Sequence, residues 1–484
     1  MRKAFSSQLR FDCSPIGQVQ LNIECRDEII PILSAMQYLY KHPELRKNVT
    51  SLIAEDVNAD TRDDVGREGY SYWEILVLAA VRMGCNLNFD KLQDLAENHR
   101  ALRGVMGIGD WDQSTSFDWR RIRENVCKLK PSTIERINQV IVSHGQELHG
   151  HAREQVRVDS FVIETNIHYP TESSLIWDGI RKIVPLWVEL AKQIGVPGSR
   201  QAKQLRKRIK QQVRLISQIS SSKSMRAKEA LPGAYRGLLE RAATVIERAK
   251  KLMEIKDAGI ESWLKLEELQ GWIKLTEQVC DTARRRVLLG ETVPNTEKLF
   301  SLFETHTQLY RRGKASKPNQ FGRMVLVVED GAGFISHYHL MHREEMDKDV
   351  IVAQMRRVQE LHENEIKQAS FDRGFYSPEN EKQLSAIIES PCMPPRHPNQ
   401  FAKKMKDASI EFHTARQRHP GIESAIGALQ SGNGLKRCRD RSELGMERYI
   451  GLAVLGRNLQ TLGKLLIARE NAQCEAARSK RRAS

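Results

Sequence analysis

The chain lacks a long apolar run and a paired-cysteine motif, and it has too little acid to balance its base. Its longest apolar stretch near the start, Trp73 to Val81, includes Glu74 and falls far short of the roughly 20 residues a spanning helix needs. Residues 1–20 begin basic but contain no apolar h-region, so neither a membrane span nor a secretory signal is expected. The eight cysteines, at 13, 25, 85, 127, 280, 392, 438 and 474, form no C-x-x-C pair. That spacing argues against a zinc site or a disulfide framework and for a reduced, cytoplasmic setting. With 40% hydrophobic and 28% charged residues, the composition is that of a globular chain.

What is present in excess is positive charge. Lys and Arg total 76 against 61 Asp and Glu, a net +15, which favours a polyanionic partner, nucleic acid before membrane. The excess is concentrated: residues 190–228 contain 11 Lys or Arg and no Asp or Glu. Lys203, Lys207, Lys210 and Arg214 follow three-and-four spacing and so share a helix face. A charge run is usually a solvated face, but this one has no acidic partner within its own helix, and phosphate contact is the favoured reading.

At 484 residues, the chain is long enough for two to four domains. Residues 1–150 read as mainly helical and as a DNA-binding region. Leu76, Ala79, Ala80 and Met83 form one apolar stripe. One amphipathic helix is expected between Asn88 and Val105, followed by the turn Gly107-Ile108-Gly109-Asp110. A new helix is expected from Thr115-Ser116, with Thr115 and Asp118 as a capping pair. Arg120, Arg121 and Arg123 lie on that second helix. The span 88–128 therefore reads as a helix-turn-helix-like DNA-docking unit or as a plain helical pair with solvated arginines.

Residues 151–178 begin a second domain. Along 156–163, Val156, Val158 and Val162 point one way, and Phe161 and Ile163 the other alongside Asp159, as in a strand covered on both faces. A basic helical insertion is expected over 179–317, ending in a loop from Gly313 to Asn319. The domain resumes over 318–450. A hairpin is expected from Arg323–Glu329 and Phe334–Met341 about Asp330-Gly331-Ala332-Gly333, then a helix over Val350–Leu361 and a strand over Ile366–Phe371. A helix opening at Pro378, a strand near Ile388–Met393 and helices from Gly421 and Arg448 complete a mixed α/β order. Residues 451–484 form a C-terminal helix and basic tail.

Three acids stand out. Asp159 falls within the doubly apolar strand, where an unpaired carboxylate costs several kcal/mol, so a cation is expected beside it, a metal before Arg157, which shares its strand face at i−2 but in a weakly pairing geometry. Asp372 ends a strand, where α/β sheets place ligands, although Asp-x-Gly is also ordinary turn chemistry. Glu423 lies in a helix's first turn, at the edge of the stripe Ile422, Ile426 and Leu429, where a partner for the helix dipole is the plain alternative. Together, two strand-borne aspartates and a helix-borne glutamate can converge on two divalent cations roughly 4 Å apart. Hard oxygen ligands suit Mg²⁺ or Mn²⁺.

Three blocks of sequence carry a resemblance. They are Val158-Asp159-Ser160 with Glu164 to Thr171 and Leu175 to Gly179; Phe371-Asp372-Arg373-Gly374-Phe375-Tyr376-Ser377; and Ile422-Glu423-Ser424 with Gly432 to Arg439. In combination they resemble bacterial insertion-sequence transposases of the DDE type, most like the ISNCY group, over most of residues 60–460. The resemblance implies an RNase H-like catalytic core whose triad is Asp159, Asp372 and Glu423, although the large helical insertion lies here between the two aspartates, where some relatives insert between the second Asp and the Glu. It also implies two Mg²⁺ or Mn²⁺ ions, double-stranded DNA (terminal inverted repeats and target) as partner, and a homodimer or larger assembly on that DNA.

The chain departs from a better-known transposase group, which has Tyr seven before, Arg four before and Lys seven after its Glu. Arg416, His419 and Gln430 stand there instead, leaving Lys436, Arg437 and Arg439 as candidates for holding a DNA end. Glu164 and Asp178 are secondary candidates for metal ligation, with a structural role favoured for Glu164. His337 and His339 read as a strand-face pair rather than as zinc ligands. A non-catalytic DNA-binding protein and a structure-specific nuclease on the same fold are the alternatives to a transposase.

Overall fold

A computed structural model describes residues 3, 12–59, 69–195, 199–253, 260–311 and 318–483. The expected loop at Gly313–Asn319 lies largely outside the described residues. The chain is mixed α/β and mostly helical, with one curled sheet. It divides into two compact units, one made of Met1–Glu164 with Met324–Ser484 and the other of Thr165–Arg323.

The first unit opens with α1 (Ile29–Lys41), α2 (Pro43–Val57), α3 (Tyr72–Gly84), α4 (Phe89–Asn98), α5 (Arg100–Val105), α6 (Trp119–Val126) and α7 (Pro131–His149). A capping box starts α3: the Glu74 N–H donates to Ser71 Oγ, and the Ser71 N–H donates to Glu74 Oε2 at 2.6 Å. Every residue of α3 except Glu74 is buried, so the helix is enclosed on all sides rather than along one stripe.

Two local expectations are corrected here. The helix expected from 88 to 105 is broken at His99, whose backbone is extended and whose Nδ1 accepts from the Leu102 N–H. The next helix begins at Trp119, not at Thr115, because Asp118 caps it, accepting from the N–H groups of Arg120 and Arg121. Thr115 instead donates to Asp112 through both its N–H and its hydroxyl. Residues 106–118 thus separate α5 from α6, far more than the three or four of a tight helix-turn-helix.

The chain then enters β1 (Gln155–Thr165). The second unit follows with α8 (Glu172–Gln193), α9 (Ala202–Ser221), α10 (Met225–Lys250), α11 (Ile260–Ala283) and β2 (Gln308–Tyr310). A Thr171–Ser174 capping box starts α8. The four helices share one apolar core, to which Ile180, Ile183, Ile209, Leu238 and Leu269 contribute.

The remaining elements are β3 (Gln320–Asp330), β4 (Ile335–Leu340), α12 (Asp347–Leu361), β5 (Gln368–Phe371), α13 (Pro378–Ser385), β6 (Ser390–Cys392), α14 (Pro398–Lys406), α15 (Ile410–Arg418), α16 (Gly421–Ser431), β7 (Arg437–Cys438) and α17 (Glu443–Ala483). In the first unit β4 pairs antiparallel with β3, β3 lies beside β1, and β1 and β5 are parallel, as are β5 and β6. The hairpin turn is built on Asp330, whose Oδ1 accepts from the N–H groups of Ala332 and Phe334. Burial pushes that carboxyl up to about 7.

Alternation along the strands sorts side chains to two faces. Val156, Val158, Leu326, Val328 and Phe371 pack with Ile351, Met355 and Val358 of α12. Phe161, Ile163, Val325 and Val327 pack with Ile422 and Ile426 of α16 and with the core of α3, α7 and α17. The two-faced reading of β1 therefore holds.

Candidate active site

The first two carboxylates are brought together by strand register. Arg157 on β1 pairs with Ser370 on β5, and Val158 with Phe371. One residue further, Asp159 and Asp372 come abreast on adjacent strands, whose backbones run roughly 4.8 Å apart. Asp372 retains an extended backbone, with φ −77° and ψ 164°. By alternation, Arg157, Asp159, Ser370 and Asp372 belong to the same face of the sheet as Phe161 and Ile163, the face α16 covers. Asp159 is half-buried, with Oδ1 accepting from the Ser160 N–H at 2.7 Å; Asp372 is exposed.

The third carboxylate arrives on α16. Ile422 is fully buried in the core beneath that helix, while Glu423, the next residue, is exposed in its first turn. The α15–α16 junction is tied to the sheet at two points. Arg157 Nη1 donates to the Arg418 carbonyl at 3.2 Å, and its Nη2 lies 2.7 Å from Glu329 Oε2. His419 Nδ1 sits 3.1 Å from Ser370 Oγ. Burial, reinforced by Arg416, pushes the His419 imidazole down to about 4, with Asp372 acting the other way. His419 is therefore neutral at physiological pH, a positioning group rather than a cation.

Sequence reasoning missed Arg157, Glu329, Ser370 and His419 as a set. His419 stood out only as the residue four before Glu423, and Arg157 only as a poor partner for Asp159; Ser370 lies 49 residues before His419. Among the described residues, no three His, Cys, Asp or Glu side chains stand grouped as a metal site. The donor chemistry of Asp159, Asp372 and Glu423 suits a hard divalent cation, since all three offer carboxylate oxygens.

The basic candidates fall into separate groups. Lys203, Lys207, Lys210 and Arg214 are all exposed on α9, opposite the buried Ala202, Ile209 and Ile216. Arg120, Arg121 and Arg123 are exposed on α6, with Arg120 over the Trp119 ring and Arg121 over Tyr70. Lys436 is exposed, and Arg437 lies 3.4 Å from Glu164. Arg439 is held at Asn86 Oδ1 (2.6 Å) and the Tyr449 hydroxyl (3.0 Å). That geometry gives Arg439 a structural task, joining the segment after α16 to the turn after α3.

The secondary candidates are also engaged elsewhere. Asp178 is buried between His168, at 2.7 Å, and Arg181, at 3.2 Å. His337 is buried against Gln354 at 2.8 Å, and His339 is 3.3 Å from Glu345. No family model, no curated protein and no solved structure matches the chain. Among the described residues, no helix is long and apolar enough to cross a membrane.

Proposed function

We propose that the chain is a DNA transposase with an RNase H-like catalytic core, cutting phosphodiester bonds at transposon ends and joining the freed 3′-hydroxyl to target DNA. The observation that carries the reading is the placement of the three acids. Asp159 and Asp372 come abreast on parallel strands, and the helix bearing Glu423 packs on the face they share. The sequential adjacency of β4, β3, β1, β5 and β6, with an antiparallel hairpin on one side and parallel strands on the other, supports the fold assignment.

Asp159, Asp372 and Glu423 would hold two Mg²⁺ or Mn²⁺ ions. Bound there, such a pair activates the attacking oxygen and stabilises the leaving oxygen of an in-line displacement. The chain's own groups set the site's geometry. The Arg157 guanidinium joins β1, Glu329 and the α15–α16 junction, and neutral His419 joins that junction to β5 without adding positive charge. The exposed bases of α9, with Arg120, Arg121 and Arg123 on α6 and Lys436 beyond α16, would hold DNA phosphates. Pairing two DNA ends calls for a dimer or larger assembly, and DNA binding for a cytoplasmic, nucleoid-associated location.

The test is cleavage of a labelled duplex carrying the element's own end, in Mg²⁺, Mn²⁺ or EDTA, by wild type and Glu423→Ala. Metal-dependent nicking followed by a joined product, lost in the variant, is the expected result. Cutting without joining favours a nuclease, and tight binding with no nicking in any metal favours a non-catalytic binding protein.

A further inference from the structure

Beside the Asp372 loop, and absent from the reading of the three acids, lies an open cleft of about 800 Å³ between β6, α13, α14 and α15. Its lining combines flat apolar surface from Tyr376 and Pro391, with buried Phe412 behind them, and cationic groups from Arg396, Lys403 and Lys404. The cationic side comes from Arg396 and from α14, a helix whose Met405, half-buried, packs against Cys392, Phe412 and Ala415. Polar and cation–π contacts add to that packing. Arg396 donates to the carbonyls of Arg373 and Gly374, the two residues after Asp372, at 3.3 and 2.8 Å. The Arg373 guanidinium lies 4.8 Å from the centroid of Phe401. Lys404 donates to the Met393 carbonyl, pairs with Glu381 and lies over both Tyr376 and Phe412. Lys403 is exposed.

We propose that this cleft binds an unpaired nucleotide of the DNA strand adjoining the scissile phosphate, with its base against Tyr376 and Pro391 and its phosphate on Arg396 and Lys403. The proposal deepens the transposase reading and rests on it for the identity of the strand. A nucleotide matches the lining because it joins a flat π-face to an anion, the combination that sequence-tolerant single-strand sites use. A duplex end offers its phosphates but keeps its bases stacked, so the aromatic wall favours an unpaired base. Glu389 and Asp407 also line the cleft; as acceptors they suit base amino groups, not phosphate. The Arg396 contacts join the cleft directly to the loop that carries Asp372, as holding a strand beside the cut requires.

The test is fluorescence-anisotropy binding by the full chain in EDTA. The probes are one short labelled duplex, blunt or with a dinucleotide 3′ or 5′ tail. Wild type is expected to bind one tailed probe about tenfold more tightly than the blunt one. Lys403→Glu and Tyr376→Ala are each expected to remove most of that ratio while changing blunt-duplex affinity much less. Lys403 is the cleaner site because its exposed side chain can change without loosening the Asp372 loop. Equal affinity for blunt and tailed probes, or a ratio that survives both substitutions, overturns the proposal. Displacement of the tail by a polyglutamate peptide as readily as by unlabelled single strand also overturns it, and reassigns the cleft to an acidic protein segment. No divalent metal is present, so the two readings fail separately. A chain that prefers tails but never cuts loses only the transposase assignment, and one that cuts without preferring tails loses only the cleft.

Discussion

The Arg157 guanidinium occupies the space a side chain at Gly421 would fill: a Cβ built on Gly421 would stand 1.9 Å from Arg157 Nη1. The absence of a side chain at the first residue of α16 lets a strand arginine reach the Arg418 carbonyl, and so sets how closely the Glu423 helix approaches β1. Gly421→Ala is expected to displace Arg157 and cost about 1 kcal/mol, at the low end for overpacking because a guanidinium tip can move. Strand cleavage should fall more than stability does. The check is the urea midpoint measured beside cleavage rate; unchanged cleavage would detach Arg157 from the site.

A second close approach has no such give. In α17, a Cβ on Gly463 would stand 1.8 Å from the Pro31 carbonyl oxygen of α1. Backbone cannot swing aside, so Gly463→Ala should cost about 3 kcal/mol, clearly more than Gly421→Ala. Thermal unfolding of the two variants side by side checks the order.

Arg82 and Asp440 form a buried pair at 2.6 Å, with side-chain exposures of 2% and 10%. Arg82 also lies over the Phe89 ring at 4.0 Å. Arg82→Met leaves the Asp440 carboxylate uncompensated and is expected to cost about 3–5 kcal/mol. The double variant Arg82→Met with Asp440→Leu should recover much of that loss in chemical denaturation. No recovery would show that the arginine acts through packing rather than charge.

Burial pushes His337 down to about 4 from an ordinary 6.5, outweighing the raising effect of its bond to Gln354. Because its folded value is depressed, His337 leaves stability intact above about pH 6.5. It removes stability as pH falls from there through 4, where the unfolded chain binds the extra proton. His337→Gln is expected to lessen the pH dependence of unfolding in that window by up to about 1.4 kcal/mol per pH unit. Asp330 and the other buried histidines remain in both proteins, so the difference between them isolates one group. Identical profiles would contradict the assignment.

Asp159→Asn keeps the shape of the side chain and removes its charge. Strand cleavage should vanish in Mg²⁺ and Mn²⁺ while binding to the DNA end stays largely intact in a gel-shift assay. A folded Asp159→Asn protein that no longer binds DNA would count against a metal-holding role.

For α9, replacing Lys203, Lys207, Lys210 and Arg214 together by Gln should weaken binding to any DNA sequence. The slope of log affinity against log salt should become less steep by about 0.9 for each phosphate that the helix no longer neutralises. An unchanged slope would leave those four as an ordinary solvated face.

Much of the fold was legible because it follows local periodicity. The two-residue alternation of Val156 and Val158 against Phe161 and Ile163 was enough to place Asp159 on the face opposite the α12 core. The hairpin about Asp330 and the start of α13 at Pro378, where Ser377 Oγ accepts from the Asn380 N–H, followed from turn and cap chemistry, which acts over a few residues. Where local signals were weak, the reading failed. The apolar spacing of 88–105 continues across His99, so nothing periodic marks the break. Helices α14 and α15 are nine residues each and bury little, Met405 in part on the first and Phe412 and Ala415 on the second, too few apolar positions to set a period.

The site divides along the same line. Sequence by itself determined which residues carry charge, which strand face Asp159 occupies, and that α9 would expose a row of bases. Only tertiary structure decided that Asp159 comes abreast of Asp372, with 212 residues between them, that Arg157 reaches Glu329 and Arg418, and that α16 covers that face. Parallel pairing and helix docking depend on contacts between segments far apart in the chain. Their stability comes from buried area and hydrogen bonds that exist only once those segments meet.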